Sequence, residues 1–131
     1  MIYKSFELTK IKLNNHKFYL FYGENEGLKD ETIKNLFEKN YQDKIQRYEE
    51  KEILDNIESF FNGVLTKSFF DNEKLIIINR ATDKIRTIIE DMMEKNPEDI
   101  QIILNSKNLE KKSTLRKLFE KEKSIVCVPF Y

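Results

Sequence analysis

Between Leu20 and Thr32 the sequence runs LFYGENEGLKDET. A glycine closes an apolar run there and a lysine follows just before a helical pattern, the setting in which backbone amides and an ammonium can hold a phosphate. A working loop of that kind reads G-x-x-x-x-G-K-[ST], because its glycines let N–H groups curl around the anion while its hydroxyl ligates magnesium. Laid on Gly23, the pattern finds its lysine at Lys29 and fails elsewhere. Leu28 stands where the second glycine belongs, with Gly27 one residue early, and Asp30 stands in place of the hydroxyl. Glu24 and Glu26 would set carboxylates against a polyphosphate, a repulsion of about 1 to 4 kcal/mol per close pair. Further on, the apolar run LIII leads into Asn79 and Arg80, where magnesium chemistry wants acidic residues. The expectation for Gly23, Gly27 and Lys29 is a strand-to-helix turn in the position of a nucleotide site, with neither binding nor hydrolysis of nucleotide and no cofactor.

Other reactive constellations are thin. His16 is the one histidine, so a catalytic triad or a metal cluster would have to be built around it without a nearby cysteine; a surface turn is the expected place, and no metal. Cys127, the one cysteine, lies inside an apolar run, which excludes an internal disulfide and points to a buried, inert thiol. A phosphorylatable receiver-like domain could use Glu24 and Glu26 as its acidic pair, but Asn79 stands where its aspartate should be and VCVPFY supplies no lysine. Lysine and arginine number 23 against 23 aspartates and glutamates, so no net field draws the chain to nucleic acid, membrane or an acidic substrate. Lys107, Lys111, Lys112, Arg116 and Lys117 form a local basic stretch, which DNA could use but which is more often a solvated helix face. No apolar stretch approaches the ~20 residues of a membrane helix and the amino terminus lacks the apolar block of a signal peptide, so a cytoplasmic protein is expected.

The elements that must position these residues alternate between short aromatic or branched runs and longer stretches with helical spacing, the pattern of a parallel sheet. At 131 residues a single domain is expected. Lys17–Tyr22, Leu75–Asn79 and Ile100–Asn105 are continuous apolar runs that demand burial on both faces, hence inner strands. Lys44–Tyr48 is polar enough for an edge, and Ile125–Val128 is a last strand. Helices are expected over Lys29–Asn40, Lys51–Leu65, a stripe from Ile85 to Met93 stopped by Asn96 and Pro97, and Ser113–Lys123. Residues 1–16 receive no assignment.

Taken together these segments resemble the amino-terminal domain of the bacterial DNA polymerase III delta subunit, over essentially the whole chain. FYLFYGENEGLKDE is similar to that family's first strand and degenerate loop, SFFDNEKLIIINR to its S-[LF]-F segment and the strand after it, and IQIILNSKNLEKKSTLRKLFEK to the next strand and lysine-rich helix. The resemblance implies an α/β domain of RecA-like, AAA+ type: three layers, a mainly parallel five-stranded sheet, helices on both faces and a degenerate phosphate loop. It implies one clamp-binding domain over residues 1–131, with the abrupt ending at Tyr131 matching a fragment that lacks the lid and collar domains. The implied function is non-enzymatic for this domain by itself, although the family is part of the DNA polymerase III holoenzyme: it binds the sliding clamp (beta subunit) and helps to open it. Other clamp-loader subunits would be met through the missing domains, DNA only indirectly and no membrane. The rival is a small nucleotide-binding enzyme with an atypical phosphate loop in which Lys29 still holds phosphate.

The resemblance carries its clamp contact onto Ser68, Phe69 and Phe70, with phenylalanine at Phe69 where leucine is more usual. The residues argue in the same direction. Continuing the stripe of Phe61 and Leu65 puts Phe69 on the buried face of the preceding helix, whereas Phe70 lies about 100° around it. Flanked by Lys67, Asp71, Asn72 and Glu73, Phe70 gains nothing from the core.

Overall fold

The computed structural model describes residues 1–66 and 73–131. Strands β1 (Phe18–Tyr22), β2 (Ile45–Glu49), β3 (Lys74–Asn79), β4 (Ile100–Asn105) and β5 (Val126–Pro129) form one five-stranded sheet in the order β2-β3-β4-β1-β5. Every neighbouring pair is parallel, with Phe18 opposite Ile102, Ile76 opposite Ile102, Tyr19 opposite Val126 and Ile45 opposite Leu75. The three continuous apolar runs are therefore the inner strands, and the polar KIQRY run is the edge, as its composition requires.

Alternation along β1 shows why both faces need cover. Phe18, Leu20 and Tyr22 enter one core, while Tyr19 and Phe21 enter the other. The first core is closed by α3 (Glu50–Asp55), α4 (Ile57–Leu65), α5 (Arg86–Lys95) and α6 (Thr114–Lys121), through Ile53, Phe60, Val64, Ile89, Met92 and Phe119. The second is closed by α1 (Glu26–Ile33), a π turn over Lys34–Glu38 and α2 (Lys39–Tyr41), through Ile33 and Phe37. Phe37 meets the Tyr19 ring edge-on at 4.8 Å between centroids. Each such buried side chain is worth about 1.5–3 kcal/mol against exposure.

The segment without a sequence assignment completes that second layer. Tight helical turns at Ser5–Lys10 and Leu13–Asn15 bring Leu8 to full burial, and Ile2 bridges Cys127 along the outer edge of β5. The Tyr3 N–H donates to the Cys127 carbonyl at 2.9 Å, and the Cys127 N–H to the Met1 carbonyl at 2.9 Å. Burial, the largest influence on it, pushes the Cys127 thiol up to about 12, so it is a thiol and not a thiolate near neutrality.

Two helices differ from their periodicity. The stretch expected as one helix over Lys51–Leu65 is two, because Asn56 leaves the helical backbone region (φ −152°, ψ 76°) and its side-chain oxygen accepts from the Ser59 N–H at 3.1 Å. An asparagine that caps the second helix ends the first. Ile57 thereby becomes the first residue of α4 and is exposed, although a single helix would have buried it. The helix expected from Lys29 starts three residues earlier, at Glu26, since the Asn25 side chain accepts from the Leu28 N–H at 3.1 Å. At the end of α5, Asn96 takes the left-handed conformation (φ 44°, ψ 61°) and its N–H reaches the Met92 and Met93 carbonyls, with Pro97 forbidding a further turn.

Candidate functional site

In a parallel sheet the carboxyl ends of the strands form a ready binding edge. Gly23 follows β1 at that edge, where Asn79, Arg80, Asn105, Ser106 and Lys107 line a cleft of about 290 Å³ together with Glu26, Asp30 and Glu49. Three carboxylates therefore face the space a polyphosphate would fill. Arg80 stands 3.7 Å from Glu49, with its backbone in the left-handed region (φ 56°).

The loop after β1 has turned its donors inward. The N–H of Gly23 donates to the Lys107 carbonyl (3.1 Å), that of Asn25 to Phe130 (3.3 Å), that of Glu26 to Glu24 (2.8 Å), that of Lys29 to Asn25 (3.1 Å), and that of Leu28 to the Asn25 side chain. Amides committed in this way offer no cradle to an anion. Gly23 sits at φ +124°, and a Cβ there would lie 1.9 Å from the Phe130 carbonyl oxygen, so glycine is required by the chain that follows β5 rather than by a phosphate. Around Gly27 a Cβ would meet nothing within 4 Å, so no close approach calls for that glycine.

Lys29 is fully buried. Its Nζ donates to the Ser106 carbonyl at 2.6 Å and to Glu26 at 3.0 Å. Ser106 in turn donates from Oγ to the Ala81 carbonyl (2.8 Å) and from its N–H to Phe21 (2.8 Å), so the lysine closes a chain of bonds joining α1 to the ends of β1, β3 and β4. Reaching a phosphate would leave the Ser106 carbonyl without this partner, at a cost of about 1–3 kcal/mol. The sequence did carry a signal for this: Lys29, Ile33 and Phe37 recur at four-residue intervals, and all three are buried.

The neighbouring connections are closed by acids that sequence reasoning did not single out. Glu50, almost fully buried, accepts from the Thr82 N–H (2.8 Å) and from the Thr82 hydroxyl. Asp83 accepts from the Ser113 hydroxyl (2.5 Å) and the Leu115 N–H (3.0 Å), at the amino end of α6. Burial alone would raise the Asp83 carboxyl, but the bonds from Ser113, Leu115 and Thr114 and the charge of Arg86 outweigh it and hold it below the ordinary carboxylate value.

Of the basic stretch, Lys107, Lys111, Lys112 and Lys117 are exposed, but Arg116 is not part of their surface. Its guanidinium lies 5.0 Å from the Tyr22 ring centre, donates to Glu120 at 3.2 Å and to the Leu109 carbonyl at 2.8 Å. His16, half-buried and with extended backbone, follows the short helical turn Leu13–Asn15 ahead of β1, its Nδ1 3.2 Å from the Ser124 carbonyl oxygen. Among the described residues there is no group of three or more side chains able to hold a metal, and no helix long and apolar enough to cross a membrane.

A larger cleft, about 640 Å³, opens at the other end of the sheet near His16, Lys17, Tyr41 and Gln101. Its buried Gln101 is satisfied, accepting from the Tyr41 hydroxyl at 2.8 Å and donating to the Leu13 and His16 carbonyls, so that side chain calls for no ligand. The same end of the sheet receives the connection from α4 to β3. Ser68, Phe69 and Phe70, expected as a contact with a partner, lie outside the described residues. What is described is its base: the Lys74 Nζ donates to the Gly63 carbonyl (3.0 Å) and the Thr66 carbonyl (2.8 Å).

Comparison with known proteins adds to this geometry. The model of the family DNA polymerase III, delta subunit, matches residues 19–128. Among solved structures the fold is similar to the Bacillus subtilis DNA clamp loader delta protein (YqeN), with a TM-score of 0.64 and 16% sequence identity over 88% of this chain. The match spans 39% of that protein, so this chain covers well under half its length. No curated protein matches the sequence.

Proposed function

Since the chain belongs to the DNA polymerase III delta subunit family, we propose that it serves DNA replication as the part of a clamp loader that binds the sliding clamp and helps to open it, without hydrolysing ATP. The observation that carries the reading is the loop after β1, which keeps the place of a nucleotide site yet has Lys29 buried against Ser106 and its amides committed to protein carbonyls. A domain of AAA+ type with its nucleotide site filled from within works through binding, with ATP acting in other subunits of the loader. The further domains of such a subunit, a lid and a collar, belong to the same proposal.

The contact itself is assigned to Phe69 and Phe70, preceded by Ser68, in the position of the family's S-[LF]-F segment. Each phenylalanine moved from water into an apolar pocket contributes roughly 1.5 to 3 kcal/mol before ordering costs, enough to anchor a small contact. Binding opens a ring only as far as it favours the open interface over the closed one, so the two rings must press on an element that supports the clamp's own subunit contact. DNA is reached indirectly, and the exposed lysines of the segment 107–117 are read as a solvated face.

Titration of this chain with the sliding clamp of the same organism tests the contact, and calorimetry with magnesium and ATP tests the loop. The expected results are a clamp complex and no heat of ATP binding. Saturable ATP binding at micromolar levels that disappears in Lys29→Ala would overturn the reading in favour of a nucleotide-binding enzyme.

A further inference from the structure

A helix leaves its last carbonyls without N–H partners, and a cation placed there is favoured both by hydrogen bonding and by the helix dipole. At the end of α6 that cation is the amino group of Met1. Its nitrogen donates to the carbonyls of Phe119 at 2.7 Å, Glu122 at 2.7 Å and Ile125 at 2.8 Å, so each N–H of the ammonium has its own acceptor. Directly beyond, the Cys127 N–H donates to the Met1 carbonyl and the Tyr3 N–H to the Cys127 carbonyl, each at 2.9 Å. The amine thus ends a short zipper that lays Ile2 along the outer edge of β5, ahead of the turn that buries Leu8. The family match covers residues 19–128, so this fastening is made by a part of the chain outside it.

We propose that the Met1 amino group is a modification-sensitive latch, and that the amino-terminal segment docks only while this amine is unacylated. A formyl or acetyl group turns the ammonium into a secondary amide. That removes the charge, leaves one N–H for three carbonyls and sets a further carbonyl among them. The acceptors left over lose their partners unless the segment lifts away and admits water. Where translation leaves a formyl group on Met1, the reaction that must precede docking is hydrolysis of that amide: water adds to the formyl carbon, the C–N bond breaks, formate departs and its proton passes to the amine. Once the amine is docked, the same three carbonyls shield its nitrogen from acylating reagents. The latch is independent of the clamp contact.

Competitive acylation of the folded chain tests the shield. An α-amino group ordinarily titrates near about 8 and a lysine near about 10.4, so an open Met1 amine would react ahead of the lysines at pH 7. Burial, the largest influence on the Met1 amine, lowers it further. With limiting acetic anhydride and the products read by mass spectrometry, Met1 should react about tenfold or more slowly in the folded chain than in urea, relative to the exposed Lys111 and Lys112 of the same sample. Hydrogen exchange tests the latch itself. The Tyr3 and Cys127 amides should be protected in the chain with a free amine. Both should exchange about tenfold or more faster in the Nα-formyl chain, and in a chain with one glycine added ahead of Met1, which moves the charge by about 3.5 Å. Equal Met1 reactivity in the folded and unfolded chains overturns the proposal, as does unchanged protection in the formyl chain. Protection kept in the glycine-extended chain overturns it too, because a displaced ammonium cannot meet all three carbonyls. The acylation measurement needs no altered chain, so it decides the matter even if the formyl chain does not fold.

Discussion

The loop after β1 and the connection from α4 to β3 lie at opposite ends of one parallel sheet, and they are built on opposite principles. In the first, the amides of five residues, a buried ammonium and the glycine itself are committed within the chain, to Lys107, Phe130, Ser106 and the loop's own Glu24 and Asn25. In the second, the chain commits the base, where Lys74 holds Gly63 and Thr66. The contrast sets a region whose polar groups are committed within the chain against one proposed to meet a partner. Groups committed within the chain are structure, so altering them should cost stability. Groups kept for a partner should cost binding.

The largest expected effect breaks the first region. Gly23→Ala must adopt φ +124°, which side chains rarely do, and must move the Phe130 carbonyl that its Cβ would strike at 1.9 Å. Strain combined with a backbone clash should destabilise the fold by about 3 kcal/mol or more. Urea denaturation measures it, and a loss below about 1 kcal/mol would show that the seal between the loop and the segment after β5 yields readily.

The second effect addresses the other region. Phe70→Ala should weaken clamp binding by about 2 kcal/mol or more, as truncation of an anchoring aromatic does, while leaving the unfolding free energy within about 0.5 kcal/mol. A buried phenylalanine would reverse the pattern, with about 3 to 5 kcal/mol lost from stability. Measuring both quantities on the same protein decides between them. A variant that unfolds early yet binds normally removes Phe70 from the contact.

How much of this could be read beforehand depended on whether a feature was periodic or tertiary. The inner strands were legible because LFY, LIII and IILN are apolar without a break, which leaves no face for solvent, and the edge strand because KIQRY is not. The loop's failure to match a phosphate site was legible in Leu28 and Asp30, but the inward turn of Lys29 was not drawn from it, since a lysine is ordinarily assigned to solvent. The break at Asn56 escaped because helical spacing survives across it even though the backbone does not. The cover given by Leu8, the commitment of Arg116 to Tyr22 and Glu120, and the reach of Lys74 to Thr66 each join residues far apart or lacking any period, so no local pattern announces them.

A third effect sharpens the claim that Lys29 serves structure. Lys29→Met keeps the aliphatic stem and removes the donor, leaving the Ser106 carbonyl without its partner at 2.6 Å. The loss of that bond, partly offset by no longer burying a charge, should destabilise the chain by about 1 to 2 kcal/mol. Adding magnesium and ATP should raise the melting temperature of neither protein, because a ligand stabilises only what it binds. If ATP stabilises the parent chain but not the variant, the lysine serves a ligand and the first region is not sealed.

The smallest effect uses pH to address the sealed edge alone. Asp83 is held below its ordinary value, and the sign follows from that direction: its contribution is present above the unfolded-state value of about 3.9 and is lost as pH falls through the lower folded value. The group is exposed at its rim, so solvent screening limits its bonds to Ser113 and Leu115 to about 0.5 to 1 kcal/mol at pH 7. Asp83→Asn keeps the shape and removes the titration. The parent chain should therefore be the more stable at pH 7 by that amount, and the gap should close as pH falls below about 4. Taking the difference between the two proteins cancels the other carboxylates, and the Arg86 charge beside Asp83 stays constant over this range. A gap that persists undiminished to pH 3 would mean that the amide's geometry, and not the lost charge, is responsible. Clamp affinity at pH 7 should be the same for both proteins, since Asp83 follows the carboxyl end of β3 and the contact proposed at Ser68, Phe69 and Phe70 precedes that strand in the chain.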